Sequence, residues 1–278
     1  MYSDIPRIGV GIGWRREISE EILLHKEHID WCEIIAEHYI NVTPDKLDQL
    51  STLARTFPIV PHGIDLSIGT DQPIEPEYLD SLSALVKRVD APWFTDHLCF
   101  TRVEGYNMGQ LTPLQFSAET VEIVVRKIKR IKETVPKPFL LENITYYFQF
   151  PGNEMSEPAF IRRVLEEADI GMLLDLCNVY INSINHGYDP YQFLESIPLD
   201  RVVQLHIAGG HKHHTTWVDS HSASVHAEVF SLLEFVVRRA PVKGILLERD
   251  GNFPPVFQEL VADLAKAREI FGRYHGRG

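Results

Sequence analysis

Short β-rich runs alternate with longer stretches of helical periodicity from one end of this chain to the other, and no other feature narrows the fold so far. The predicted strands are 8–12, 31–35, 59–63, 93–97, 139–142, 171–175, 202–207 and 244–248, a count of eight. Between them, 76–89, 117–134, 157–167, 225–239 and 256–271 repeat apolar residues at spacings of three and four, the stripe of a helix that lays one face on a core. Two helix starts are legible. Thr43-Pro44-Asp45 offers a cap and a first-turn proline, and Ser19-Glu20-Glu21 sets acids at the positive end of a helix dipole. Eight βα units in 278 residues predict an α/β fold of the (β/α)8 TIM barrel type, one domain over residues 1–278. An open doubly wound sheet is the alternative.

Charge and cysteine use exclude several classes. With 27 Lys and Arg against 39 Asp and Glu, the formal charge of -12 repels a polyanion, and no basic groove offsets it, so no nucleic-acid partner is expected. Cys32, Cys99 and Cys177 are too few and too scattered for a disulfide framework, which fits a reducing cytoplasm. No apolar run approaches the ~18 residues of a membrane span, and no signal-peptide pattern opens the chain, so no membrane association is expected.

In a barrel of this kind, reactive groups project from the C-terminal ends of the strands. From the third strand to the eighth, every run ends in a residue able to bind a metal: His62, His97, Glu142, Asp175, His206 and Glu248. Asn178 follows Asp175 as an oxygen donor, and Asp219-x-His221 can aim both side chains at one face of an extended segment. So many buried acids and imidazoles cost several kcal/mol apiece unless paired or ligated, and Arg249, with Lys212, supplies too few cations. The count exceeds one ion's needs. It points to two or three ions bridged by Glu142 or Glu248, with donors suited to iron, manganese or zinc.

Other residues receive plainer readings. His211, His213 and His214 read as a solvated loop, and Cys177 as an inert buried thiol. Gly9-Val10-Gly11-Ile12-Gly13 reads as close packing, and Ala208-Gly209-Gly210 as a backbone turn beside His206. Asp250, just past Glu248, is a candidate catalytic base, a ligand-orienting group, or one half of a salt bridge. The segments 104–113 and 180–188 read as loops that shape or cover a channel.

A series of short motifs runs through nearly the whole chain. It comprises His62-Gly63-x-x-Leu66-Ser67-Ile68-Gly69, Asp96-His97-Leu98, Leu141-Glu142-Asn143, Leu174-Asp175-x-x-Asn178-Val179-Tyr180, Asn185-His186-Gly187-Tyr188-Asp189, His206-Ile207-Ala208-Gly209, Asp219-Ser220-His221 and Leu247-Glu248-Arg249-Asp250. In order and spacing it resembles the multinuclear non-heme iron-dependent oxidative enzymes. The resemblance implies a barrel holding two or three iron ions that use dioxygen to oxidise a side chain, most often cysteine, of a ribosomally made precursor peptide. It also implies a separate partner protein that captures the precursor's leader. His62, His97, Glu142, Asp175, Asn178, His206, Asp219, His221 and Glu248 match its ligand positions. The chain departs from many members at Arg249, Cys177 and His38. Two other readings use the same residues: a divalent-metal isomerase or endonuclease-like hydrolase on a TIM barrel, and a non-catalytic metal or peptide carrier.

Overall fold

The computed structural model of the protein describes residues 4–275. Its strands are β1 (Gly9–Gly13), β2 (Cys32–Ile35), β3 (Ile59–His62), β4 (Phe94–His97), β5 (Phe100–Val103), β6 (Tyr106–Thr112), β7 (Phe139–Glu142), β8 (Gly171–Asp175), β9 (Val202–Ile207), β10 (Gly209–His213), β11 (Thr216–Ala223) and β12 (Gly244–Leu247). Eight of them close a barrel in the order β1-β12-β9-β8-β7-β4-β3-β2, with all neighbours parallel. Closure decides against the open sheet, and each barrel strand overlaps one of the eight predicted runs. The remaining four form two antiparallel hairpins, β5-β6 and β10-β11, rising from the loops after β4 and β9. Among the described residues, no helix is long and apolar enough to cross a membrane.

The outer core lies between the barrel wall and the helices, where Val121, Val124, Ile128 and Ile131 of the helix Ala118–Thr134 recur at helical spacing and are buried. Ser117 caps that helix by accepting from Thr120 N at 3.2 Å. Thr43 does sit at an N-cap with Pro44 behind it, but its side chain makes no capping bond, so the proline alone carries the start. A second, inner core plugs the barrel: Trp31, Val60, Trp93, Leu140, Leu173, Val203 and Leu246 pack together with Ile5.

Two expected loops are regular structure. Much of 104–113 is strand β6 of the first hairpin, and most of 180–188 is the second half of a helix, Leu176–His186, ended by Gly187 in the left-handed conformation. That helix starts because the Asp175 carboxylate accepts from Asn178 N at 2.6 Å, so a strand-end acid doubles as an N-cap. The His-rich run is likewise not a loop but β10 and the turn to β11, and His211, His213 and His214 are exposed there.

Glycines fix two close approaches. Gly11 leaves no room for a side chain beside Trp31, where a Cβ would lie 2.5 Å from the Trp31 carbonyl oxygen. At Gly209 a Cβ would come within 2.2 Å of Ser224 O and 2.3 Å of Ala223 O, backbone that cannot move aside without opening the hairpin. Gly209→Ala is therefore expected to destabilise the protein by roughly 1–3 kcal/mol through overpacking. Urea unfolding checks this, and an unchanged midpoint would contradict it.

Candidate metal centre

Strand geometry loads the barrel mouth. Side chains alternate across a strand, so the residue two beyond an inward-facing one faces inward again, one layer higher. Val60, Leu140, Leu173 and Leu246 belong to the apolar plug, and two residues after each come His62, Glu142, Asp175 and Glu248. The polar set thus sits on the plug at the C-terminal end of the barrel, cut off from water below. His62, Glu142, Asp175, His206 and Glu248 are all buried.

The first group is a triangle of potential donors. His62 Nε2 lies 3.2 Å from His97 Nε2, and Glu142 Oε2 lies 3.3 Å from the former and 3.4 Å from the latter. Each ring is oriented from behind: His62 Nδ1 is 2.6 Å from Thr95 Oγ1, and His97 Nδ1 is 3.1 Å from Gly63 O. A carbonyl only accepts, so His97 donates from Nδ1 to Gly63 O and Nε2 is the nitrogen it turns to the triangle. Around a tetrahedral ion with bonds of about 2.0–2.1 Å, neighbouring ligand atoms stand about 3.4 Å apart, which is the spacing found here.

The second and third groups extend the first through shared carboxylates. His206 Nδ1 lies 3.1 Å from Glu248 Oε2, 3.3 Å from Glu142 Oε1 and 4.0 Å from Asp175 Oδ2. His221 Nδ1 lies 3.4 Å from Glu248 Oε2 and 3.1 Å from Asp250 Oδ2. Glu142 therefore belongs to groups one and two, and Glu248 to groups two and three. Asp219 stands at the far end, its Oδ1 2.7 Å from His221 Nε2 but not aligned as a hydrogen bond.

Five atoms in this mouth are buried without a hydrogen-bond partner: Glu142 Oε2, Asp175 Oδ2, His206 Nδ1, Asp219 Oδ1 and His221 Nε2. Buried polar atoms are rarely left so, and a cation is the partner that would satisfy acids and imidazoles together. The residues fit a group of metal ions on this ground. The electrostatics agree. Burial, reinforced by Glu142, pushes the Asp175 carboxyl well above the usual carboxylate range. Burial would do the same to Glu248, but His221 and His206 outweigh it and hold that carboxyl well below the range. Burial likewise opposes a charge on His206, yet Glu33, Glu142 and Glu248 hold the imidazole well above its ordinary value. Burial and the neighbouring His97 and His206 keep His62 well below it, so its ring is neutral.

Not every predicted residue joins the cluster. The Asn178 side-chain oxygen accepts from Thr145 Oγ1 at 2.5 Å and its amide donates to Asn143 O at 2.9 Å, so both ends are committed to the framework. Arg249 gives its guanidinium to the carbonyls of Gly251 and Asn252, and Lys212 is exposed on β10. Neither neutralises the mouth. The cation that does reach it is Arg15, 2.6 Å from Asp250 Oδ1 and 3.8 Å from Glu248 Oε1, a residue the sequence reading passed over. Asp250 is thereby in the salt bridge that was one of its three expected roles. Glu33 was missed as well. It follows Trp31 by the same two-residue step that sets the ligand-bearing residues above the plug, and that step was the signal available.

A profile of the family described as RiPP precursor modification enzyme MbnB/TglH/ChrH matches residues 9–272. The chain belongs to that family. The match runs from β1 into the last helix and so includes every residue of the mouth. A UPF0276 protein of Anaeromyxobacter sp. (strain Fw109-5) is 36% identical over 263 residues, covering 95% of this chain and 93% of its own length. One from Neisseria meningitidis serogroup B is 36% identical over 262 residues, with 92% of each chain covered. Among solved structures, a 3-keto-D-glucoside 4-epimerase from E. coli superposes with a TM-score of 0.59 at 15% identity, covering 94% of this chain and 99% of that one. Endonuclease IV from Thermus thermophilus gives 0.59 at 13%, covering 95% and 99%. At such identities these two likenesses speak for the barrel alone.

Proposed function

We propose that this family member oxidises a side chain, cysteine in the first instance, of a ribosomally made precursor peptide, using dioxygen and two or three iron ions bound at the barrel mouth. The observation that carries the reading is the chaining of three potential donor groups through Glu142 and Glu248. His62, His97 and Glu142 would hold one ion; Glu142, Asp175, His206 and Glu248 a second; Glu248 and His221, with Asp219 and Asp250 beside them, a third. When bound, iron supplies the redox equivalents and the open coordination positions that no side chain of this mouth possesses.

The chain's own residues do the rest. Thr95 and the Gly63 carbonyl orient His62 and His97, and Arg15 anchors Asp250, which steadies His221. Asp250 acts here as a positioning group, with both of its oxygens engaged. The peptide path is formed by aromatic residues above the mouth. Tyr147 accepts from Asp219 N at 3.3 Å and is half exposed, and Phe148 joins Phe150 and Phe100 in a ridge of ring contacts running to the first hairpin. Capture of the precursor's leader is left to a separate partner protein.

The test pairs the iron-loaded protein with any short cysteine-containing peptide found encoded beside its gene. Mass spectrometry is expected to record a change of the peptide in air and none under strict anaerobiosis. Equal conversion without oxygen, or with zinc as the sole metal, would sink the oxidative reading in favour of a divalent-metal isomerase or hydrolase.

A further inference from the structure

Away from the mouth, one further set of ligand-capable side chains converges among the described residues. His25, Glu27 and His28 each offer a donor atom, and the three atoms lie within 4.8 Å of one another. They sit between the helix Ser19–Leu24 and β2, the last two on the short turn Lys26–His28. The run His25-Lys26-Glu27-His28 lies in none of the motifs named above. It precedes the start of β2, whereas most donors of the mouth stand where strands end, and the two sets share no residue.

The donors are held in place but not engaged. His25 stacks on Phe257, just before the last helix, with ring centroids 5.2 Å apart and planes 13° from parallel. His28 is fixed through its backbone: its N–H donates to His25 O at 3.0 Å, and Arg268 Nη2 donates to its carbonyl at 3.0 Å. Among the described residues neither imidazole makes a hydrogen bond to protein. Each has a carboxylate at loose range, Glu27 Oε1 at 3.5 Å from His28 Nε2 and Glu21 Oε2 at 3.7 Å from His25 Nε2. Donors around an ion with bonds of about 2.0–2.1 Å stand about 3.4 Å apart, so the set has to close by roughly 1–1.5 Å at most. Partly exposed side chains tied to nothing else do so by small rotations.

Two imidazoles with one or two carboxylates and no thiolate suit a borderline divalent ion such as Zn2+, and not Mg2+ or Ca2+, which take oxygen donors. We propose that His25, Glu27 and His28, with Glu21 beside them, form a peripheral site for Zn2+ or a similar ion on the flank of the barrel. Water fills its remaining positions, so the ion exchanges freely with solvent. The inference depends neither on the metal reading of the mouth nor on the reaction assigned to it.

Acylation of histidine by diethyl pyrocarbonate, read residue by residue by peptide mass spectrometry, tests it on the intact protein. Zn2+ is expected to protect His25 and His28 together, over one shared concentration range, and Mg2+ to protect neither. Zn2+ that leaves either ring as reactive as before, or Mg2+ that protects equally well, would overturn the proposal. Glu27→Gln, a change at an exposed position, is expected to raise the Zn2+ concentration needed, and an unchanged requirement would overturn the three-residue site. In equilibrium dialysis, His25→Asn combined with His28→Asn is expected to bind one Zn2+ fewer per chain than the parent, and equal binding would overturn it. A parent that holds a single ion, lost in the paired variant, would uphold this site while removing the ions of the mouth.

Discussion

Replacing Glu142 with Gln is expected to strip the protein of two ions, not one, and to reduce turnover by far more than the roughly 10- to 100-fold typical of losing an outer partner of a metal ligand. The reason is the position of its two oxygens. Oε2 faces His62 and His97 at 3.3 and 3.4 Å, and Oε1 faces His206 at 3.3 Å, so one carboxylate serves two groups. Glutamine keeps the shape but presents one oxygen and one NH2, and the NH2 cannot bind a cation. Whichever way the amide turns, one group loses its donor outright and gains a repelling hydrogen, while the other keeps only a neutral oxygen in place of an anionic one, so both sites are weakened. Elemental analysis of protein reconstituted beside the parent reads the outcome directly. A full complement of metal in folded Glu142→Gln would show that the groups are not joined through this residue.

Removing the metal is expected to lower the melting temperature by about 10 °C or more. The mouth concentrates Glu142, Asp175, Glu248 and Glu33 around His206 in a dry interior, and several of their atoms have no partner. An ion that binds the native state alone stabilises it by about 4 kcal/mol when present at a thousand times its dissociation constant. For a chain of this size each kcal/mol is worth roughly 2–4 °C, so one such ion accounts for roughly 8–16 °C and a second adds to it. Differential scanning calorimetry of chelator-treated and reloaded protein measures it. Coincident transitions would mean that the acids are stabilised by protons alone.

The barrel and the centre of its mouth were legible because both follow from local rules. Alternation of β-rich and helical periods gave the fold, and the ends of the third to eighth predicted strands gave His62, His97, Glu142, Asp175, His206 and Glu248 without knowledge of any contact. What escaped depends on closure. Glu33 meets Gln204 across a gap of 171 positions, and Arg15 meets Asp250 across 235, because β1 and β2 return beside the last strands only when the barrel shuts. Arg249 was a natural choice of cation from its place next to Glu248, but adjacent residues on an extended chain point to opposite sides, and its guanidinium serves the turn at 251–252 instead. The helix Leu176–His186 was hidden because the residue that caps it, Asp175, was already spoken for as a strand end.

Most of the donors stand on strands locked into the barrel, but Asp219 and His221 stand on β11, which pairs only with β10. The bonds that fasten that hairpin to the body include the pair between Asn185 and Trp217 and the one from Asp250 N to His221 O. Breaking a handful of such bonds takes far less free energy than unfolding the barrel, so this hairpin is expected to open locally before the rest of the molecule unfolds. The outermost position of the cluster is then its expected doorway, and backbone hydrogen exchange faster at β11 than at β8 and β9 would show it.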